Sequence, residues 1–256
     1  MLWLLAFVAC AVSLVSFFSG FGLGTILTPV FALFFPLEIA IALTAVVHLL
    51  NNLFKLLLTA GKIDRAVFLR FGIPSLIGAL AGSFLLERLG QLHTLYIYEM
   101  GGRSFEITAL KVIIAMLMII FTLVEFIPGW KTLEADRSKL VAGGVLSGFF
   151  GGLSGHQGAL RSIFLVRSGM SKESFIATGI VIGCIVDITR IPVYFSRIAG
   201  TVNADGWYVI VVTTLSGFAG AFVGSRLLKK ITLDLVQKMV AVMIVLLACA
   251  LGSGVI

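Results

Sequence analysis

The sequence predicts an all-α, polytopic membrane protein: about eight hydrophobic segments in two inverted repeats, each with a glycine-rich broken helix or re-entrant hairpin. Three observations predict it. The 256 residues are 59% hydrophobic and only 12% charged, whereas a soluble domain is roughly half apolar and a quarter charged. Apolar stretches near the roughly 20 residues that a membrane span needs recur along the chain. The motifs of the first half return in the same order in the second.

The first segment covers Leu2–Phe35, and no charge precedes Glu38. It lacks the basic start and short apolar core of a cleaved leader, so it reads as part of the mature chain. It is too long for one straight span and barely long enough for two. The segments that follow cover Ile39–Ala60, Ala66–Leu86, Ile107–Ile127, Leu140–Val166, Ser174–Phe195, Gly206–Leu228 and Leu235–Ile256. None shows the alternation of a membrane barrel strand. Between the third and fourth, Gly90–Arg103 ("GQLHTLYIYEMGGR") is a polar interruption expected at the membrane surface. Cys10, Cys184 and Cys249 are widely spaced in apolar segments and form no disulfide or metal pattern.

The duplication is read from three pairs of motifs. "GALAGSFLLERL" (Gly78–Leu89) matches "GAFVGSRLLKKI" (Gly220–Ile231) through G-x3-G-S-x-L-L. Small residues four apart let helices approach closely, which gives this pair a packing role. "TAGKID" (Thr59–Asp64) resembles "IAGTVN" (Ile198–Asn203), and "SFFSGFGLG" (Ser16–Gly24) faces "GFFGGLSGHQG" (Gly148–Gly158). Internal duplication is a common plan of secondary transporters. Residues 1–128 form the first repeat, 129–139 a cytoplasmic linker and 140–256 the second repeat.

Charge gives the orientation. The net charge of +7 sits mostly in short loops between apolar segments, and no nucleic-acid-binding motif accompanies it. If the two long segments each crossed once, Lys and Arg would divide almost evenly between the two sides. If each turns back at its glycines, Lys62, Arg65, Arg70, Lys131, Arg137, Lys139, Arg167, Lys172, Arg226, Lys229, Lys230 and Lys238 share one side. Only Arg88, Arg103, Lys111 and Arg197 remain on the other. That bias is the one the positive-inside rule requires. It inverts the repeats and places both termini outside. Two short full spans per long segment would give the same count.

The polar residues inside the apolar segments are the candidates for function. The first glycine-rich tip holds Gly20, Gly22, Gly24 and Thr25; the second holds Gly155, His156, Gln157 and Gly158. A helix broken at such a tip exposes N–H groups that favour an anion. Broken backbone is tolerated at membrane depth only where protein or a water-filled cavity satisfies it. Arg161 follows the second tip, too deep to snorkel as Arg167 can, and is expected to face a polar cavity. On the next segment of the first half, His48, Asn51, Asn52 and Lys55 have spacings of three, four and seven, which put them along one helix face. In the second half Asp187 and Arg190 lie three apart on one face, corresponding to Asn52 and Lys55. A purely structural salt bridge accounts equally well for that pair.

Lys55, Arg161 and Arg190 against Asp187 leave two net positive charges in the membrane, with both histidines neutral. Such a cavity suits an anion, and His48 or His156 can couple it to protons. There is no phosphate loop and no zinc-protease motif, and the three histidines are too scattered for a metal cage. The expectation is a transporter and not an enzyme, with no cofactor and no metal. Its partners are a small anion, a coupling proton or Na⁺, and the lipid bilayer, and the reading allows a homodimer. A passive anion channel is the alternative. An intramembrane enzyme built on Ser154, His156 and Asp187 is disfavoured because their separation makes no motif.

The paired glycine-rich openings, the "GKID" loop (Gly61–Asp64) and the two G-x3-G-S-x-L-L endings together resemble the TauE/SafE family of anion exporters over essentially the whole chain. The resemblance implies an inner-membrane permease that exports sulfite, sulfonates or related organic anions. The family's openings read close to G-x-G-G-G followed by proline. Here the first reads Gly22-Leu23-Gly24-Thr25 with Pro29 retained, and the second reads Gly155-His156-Gln157-Gly158 with Arg161 near the expected proline.

Overall fold

The computed structural model describes residues 1–19, 23–59, 62–126, 139–166, 168–201, 204–227 and 233–256. Gly20, Gly22 and all of the expected linker except Lys139 lie outside these residues.

The second long segment is broken at Gly155, and the first holds two helices on either side of residues 20–22, which lie outside the described residues. The first gives α1 (Leu2–Ser19) and α2 (Leu23–Ala32), and the second gives α7 (Leu140–Ser154) and α8 (Gln157–Val166). α2 and α8 have ten residues each, or about 15 Å of helix, half of a roughly 30 Å hydrocarbon core. α7 stops at Gly155, whose φ of 80° is a left-handed conformation that a side chain would strain.

The remaining helices of the first half are α3 (Leu37–Thr59), α4 (Arg65–Val67) and α5 (Ile73–Leu89), then α6 (Ala109–Phe126). Asp64 caps α4, its Oδ1 accepting from the backbone N–H groups of Ala66 and Val67 at 2.9 and 3.0 Å. A π turn over Phe68–Gly72 joins α4 to α5 in one rod. The second half continues with α9 (Lys172–Thr201), α10 (Ala204–Leu227) and α11 (Leu233–Gly252). Among the described residues, four helical stretches are long and apolar enough to cross a membrane: Leu37–Thr59, Arg65–Leu89, Glu173–Tyr194 and Gly206–Arg226. The chain is an all-α multi-pass membrane protein.

The packing repeats the duplication. α1 packs against α10 and α5 against α7, while α3 meets α9 and α6 meets α11. Exchanging the two halves turns this set of pairs into itself. The G-x3-G-S motifs explain the tightest contacts. Gly78 and Gly82 of α5 lie on the carbonyls of Val145 and Phe149, and Gly144, Gly148 and Gly152 of α7 lie on those of Phe71, Ser75 and Ala79. A methyl group at any of these positions would collide with backbone. Gly220 meets the Cys10 carbonyl in the same way on the other side. Small residues bring backbones together, the main source of helix association where lipid removes the hydrophobic drive.

The corresponding helices α3 and α9 run antiparallel. His48 lies beside Asp187, and Leu49 and Leu56 pack against Ile176, Ile180 and Cys184. Past the end of α3, the Asp64 N–H donates to Thr178 Oγ1 at 2.9 Å. Corresponding helices meeting head to tail is the relation an inverted repeat demands.

One element departs from the sequence reading. The sequence reading is all-helical, but most of the Gly90–Arg103 interruption folds into a hairpin of β1 (Thr94–Met100) and β2 (Arg103–Thr108). Ile107, expected to open the fourth apolar segment, lies in β2. Gly101 and Gly102 have φ of 61° and 73°, which a two-residue turn between twisted strands requires. Tyr98 stacks on Phe105 and donates its hydroxyl to the Ser253 carbonyl at 2.8 Å, tying the hairpin to the end of α11.

Candidate functional site

The polar residues of the two halves converge where α3 crosses α9. Asp187 is fully buried, and both of its oxygens are engaged. His48 Nδ1 lies 2.5 Å from Oδ2. Arg190 reaches Oδ1 with Nε at 3.0 Å and Nη2 at 2.8 Å, and Gln157 Nε2 lies 3.4 Å from the same oxygen. The other arm of Arg190 donates from Nη1 to the Gly151 carbonyl at 2.9 Å. Tyr194 donates to the next carbonyl, Gly152. α9 thus holds the last turn of α7, where the Gly151 carbonyl also accepts from the Gly155 N–H at 3.0 Å. The turn at Gly155 then meets α2: its carbonyl oxygen lies 3.1 Å from where a Cβ on Gly24 would sit, so a side chain at this crossing would be tight.

Beside this knot lies a small cleft. His48, Asn52 and Lys55 of α3, Arg161 and Ser162 of α8, and Ser16 of α1 form its polar wall. Leu23, Leu165, Phe175, Ile176 and Ile180 form its apolar wall. Gly183 of α9 leaves room for the polar side chains: a Cβ there would come within 2.9 Å of Asn52 Nδ2 and 3.0 Å of Arg161 Nη1. Lys55 Nζ donates to Ser16 Oγ at 2.8 Å, which fixes the ammonium at the wall. The cleft follows the C-terminal half of α3 and the N-terminal half of α9, the ends that lead to Lys62 and Lys172.

A model of the sulfite exporter TauE/SafE family matches residues 5–251. The chain belongs to this family. It is a sulfite exporter-type membrane transporter, and the match spans both halves of the duplication. No curated protein and no solved structure matches it.

Within this TauE/SafE chain, the residues singled out from the sequence fall into three groups. His48, Asn52, Lys55 and Arg161 share the cleft. Asp187, Arg190, Gln157, Gly155 and Gly24 build the knot behind it, with Gly158 buried in the first turn of α8 and Thr25 half-buried in the first turn of α2. Asn51 and His156 face elsewhere. Asn51 Oδ1 accepts from Ser13 Oγ of α1 at 3.0 Å and lies beside Gly217 of α10. The face predicted for the four α3 residues thus divides, because consecutive residues point about 100° apart on a helix. His156 folds back on its own turn, with Nδ1 at 3.0 Å from both the Ser154 carbonyl and Ser154 Oγ, and its ring stacks against Phe121.

Sequence reasoning missed Tyr194, Ser13, Ser16 and Ser162. Tyr194 carried a signal, four and seven residues after Arg190 and Asp187 on one helix face. Ser13 and Ser16 also share a face, in an otherwise apolar helix. A serine inside a membrane helix can bond to its own backbone, so its presence alone does not mark a site.

Proposed function

We propose that this transporter exports a small sulfur oxyanion or organosulfonate from the cell interior by alternating access. The anion occupies the cleft between α3, α8 and α9. The observation that carries the reading is that Arg161 and Lys55 line one cleft together with apolar side chains. An arginine fork suits a tetrahedral oxyanion, and the sequestered lysine adds charge without fixed geometry. The apolar side chains that line the cleft suit a short organic body. Ligand sites of this kind are mostly apolar, with a few convergent polar groups.

The inverted relation of the halves supplies the cycle, with one half rocking against the other around a central site. The cleft lies along the halves of α3 and α9 that lead to Lys62 and Lys172, so on the charge bias it sits toward the cytoplasmic side. The outer side is closed by the knot of Asp187, Arg190 and the α7 carbonyls. In this reading the protein lies in the plasma membrane with both termini outside, and a proton or Na⁺ accompanies the anion.

The test is uptake of labelled anions into proteoliposomes holding the purified protein. Sulfite is expected to enter, with small sulfonates competing, and chloride and organic cations are expected not to compete. Equal competition by chloride would contradict a dedicated oxyanion site. Flux without saturation would favour the passive channel.

A further inference from the structure

We propose that the anion leaves through a second binding site, closed in this structure, between α2, the N-terminal half of α3 and the C-terminal half of α9. The Thr44 hydroxyl is a donor to the anion there. The inference deepens the transport reading and rests on it.

The inverted repeat locates the site. Exchanging the halves carries a cleft on one side of the membrane to a matching place on the other. Asn52 and Lys55 of the cleft fall on Asp187 and Arg190. In the same register Ile176 and Gly179, also at the cleft, fall on Ile41 and Thr44. α2 and α8 have ten residues each, and matching them end to end sets Leu27, Thr28 and Phe31 against Arg161, Ser162 and Leu165. The matched side chains do not line a cleft here: Leu27, Thr28, Phe31, Ile41 and Thr44 are all fully buried. An open site on one side with its counterpart packed shut is one end of an alternating cycle. Exchanging the two arrangements gives the other end.

Thr44 is the residue that packing does not explain. A threonine inside a helix can satisfy its hydroxyl on the carbonyl four residues back. Thr28, Thr59, Thr122, Thr189 and Thr213 all do so. Thr44 does not: its Oγ1 has no partner, although the residue is fully buried. A buried hydroxyl without a partner is a cost to the fold, and a second state in which it binds the anion accounts for it. Its position fits. His48 lies beside Asp187 where α3 and α9 run antiparallel. Thr44, one turn before His48, is therefore on the same side of the crossing as Arg190. α2 reaches that side too: a Cβ on Gly155 would sit 3.2 Å from Arg190 Nη1 and 3.6 Å from Thr28 Oγ1.

The two sites differ in charge. Where the cleft has Arg161, the exit site has Leu27. Where the cleft has Lys55, the exit site has Arg190, which keeps Asp187 as its partner on the same helix when α2 and α3 move away. The exit site therefore holds the anion through hydroxyl donors and a guanidinium already shared with a carboxylate. Hydrogen bonds between neutral donors and an anion are weaker than those from an unshared cation. The anion is held more loosely there than in the cleft, which favours release on the outer side.

The experiment compares right-side-out with inside-out membrane vesicles. Thr44→Val removes the hydroxyl and keeps the shape, so thermal unfolding is expected to match wild type or improve on it. For labelled sulfite, the ratio of the outer to the inner half-saturating concentration is expected to rise about tenfold, as loss of a hydrogen bond to a charged group predicts. Thr44→Cys, with Cys10, Cys184 and Cys249 replaced by alanine, reads access directly. A membrane-impermeant methanethiosulfonate carrying a sulfonate is expected to modify it from the outer face, seen as a gain in mass, and far more slowly from the inner face. Methanesulfonate added outside is expected to slow the modification. An unchanged ratio in Thr44→Val, a large loss of folded protein in that variant, or a Thr44→Cys modified from the inner face alone or from neither would each overturn the exit site. Wild-type vesicles that move sulfite in neither orientation would instead overturn the transport reading, and the exit site with it.

Discussion

Arg161 and Arg190 are both buried among membrane helices, yet they are used differently. Arg190 is enclosed, with its guanidinium divided between Asp187 and the Gly151 carbonyl, and it ties α9 to the end of α7. Arg161 turns into the cleft and shares its wall with Lys55, His48 and Asn52. An arginine in a bilayer is costly and has to be balanced. For Arg190 the balance is built into the fold. At Arg161 we propose that the transported anion joins the partners the fold already supplies. A buried charge therefore says little about function until its partner is known.

The sharpest way to break the comparison is to remove the enclosed arginine. Arg190→Gln leaves Asp187 short of its main neutralising partner, and losing one member of a buried ion pair costs about 3–5 kcal/mol. We expect a severe loss of folded protein, measured by yield and thermal unfolding in detergent. Retained stability with lost transport would mean that the two arginines share a role. Gly82→Leu is the next largest, because the side chain would press into the Phe149 carbonyl. Overpacking of this kind costs about 1–3 kcal/mol, and the same unfolding assay reads it. Lys55→Gln removes a charge at the cleft while keeping a donor for Ser16. We expect about tenfold weaker anion binding, matching a charge-assisted bond of about 1.5 kcal/mol, seen as a rise in the half-saturating concentration. Asn51→Ala is the smallest. It breaks the bond with Ser13 at a cost of about 1 kcal/mol, and it should leave the half-saturating concentration unchanged because Asn51 faces α1 and α10.

Asn51 also shows how far the sequence could be read. Its neighbours on α3 recur at helical spacing, so their shared face was legible. The division between Asn51 and Asn52 was not, because it depends on which helices stand on either side. The break of the second long segment at Gly155 was legible from its glycines. The crossing of the halves, α1 on α10 and α5 on α7, was not, although the G-x3-G-S motifs that cause it were in view. Those motifs report that a backbone approaches closely without saying whose. The β1–β2 hairpin could have been read from Gly101-Gly102 between two strand-like runs. The ion pair of Asp187 and Arg190 could be anticipated from spacing. The attachment of His48 to it needed the antiparallel meeting of α3 and α9.

The most direct test of the account is saturable uptake of labelled sulfite by Arg161→Gln in proteoliposomes, beside wild type at matched protein content. Gln keeps a polar side chain at the cleft wall, so the variant should insert, purify and unfold like wild type. Its uptake should fall at least about tenfold, from the loss of a charged hydrogen bond worth about 1.5–3 kcal/mol. Wild-type uptake with an unchanged half-saturating concentration would contradict the claim that Arg161 holds the anion.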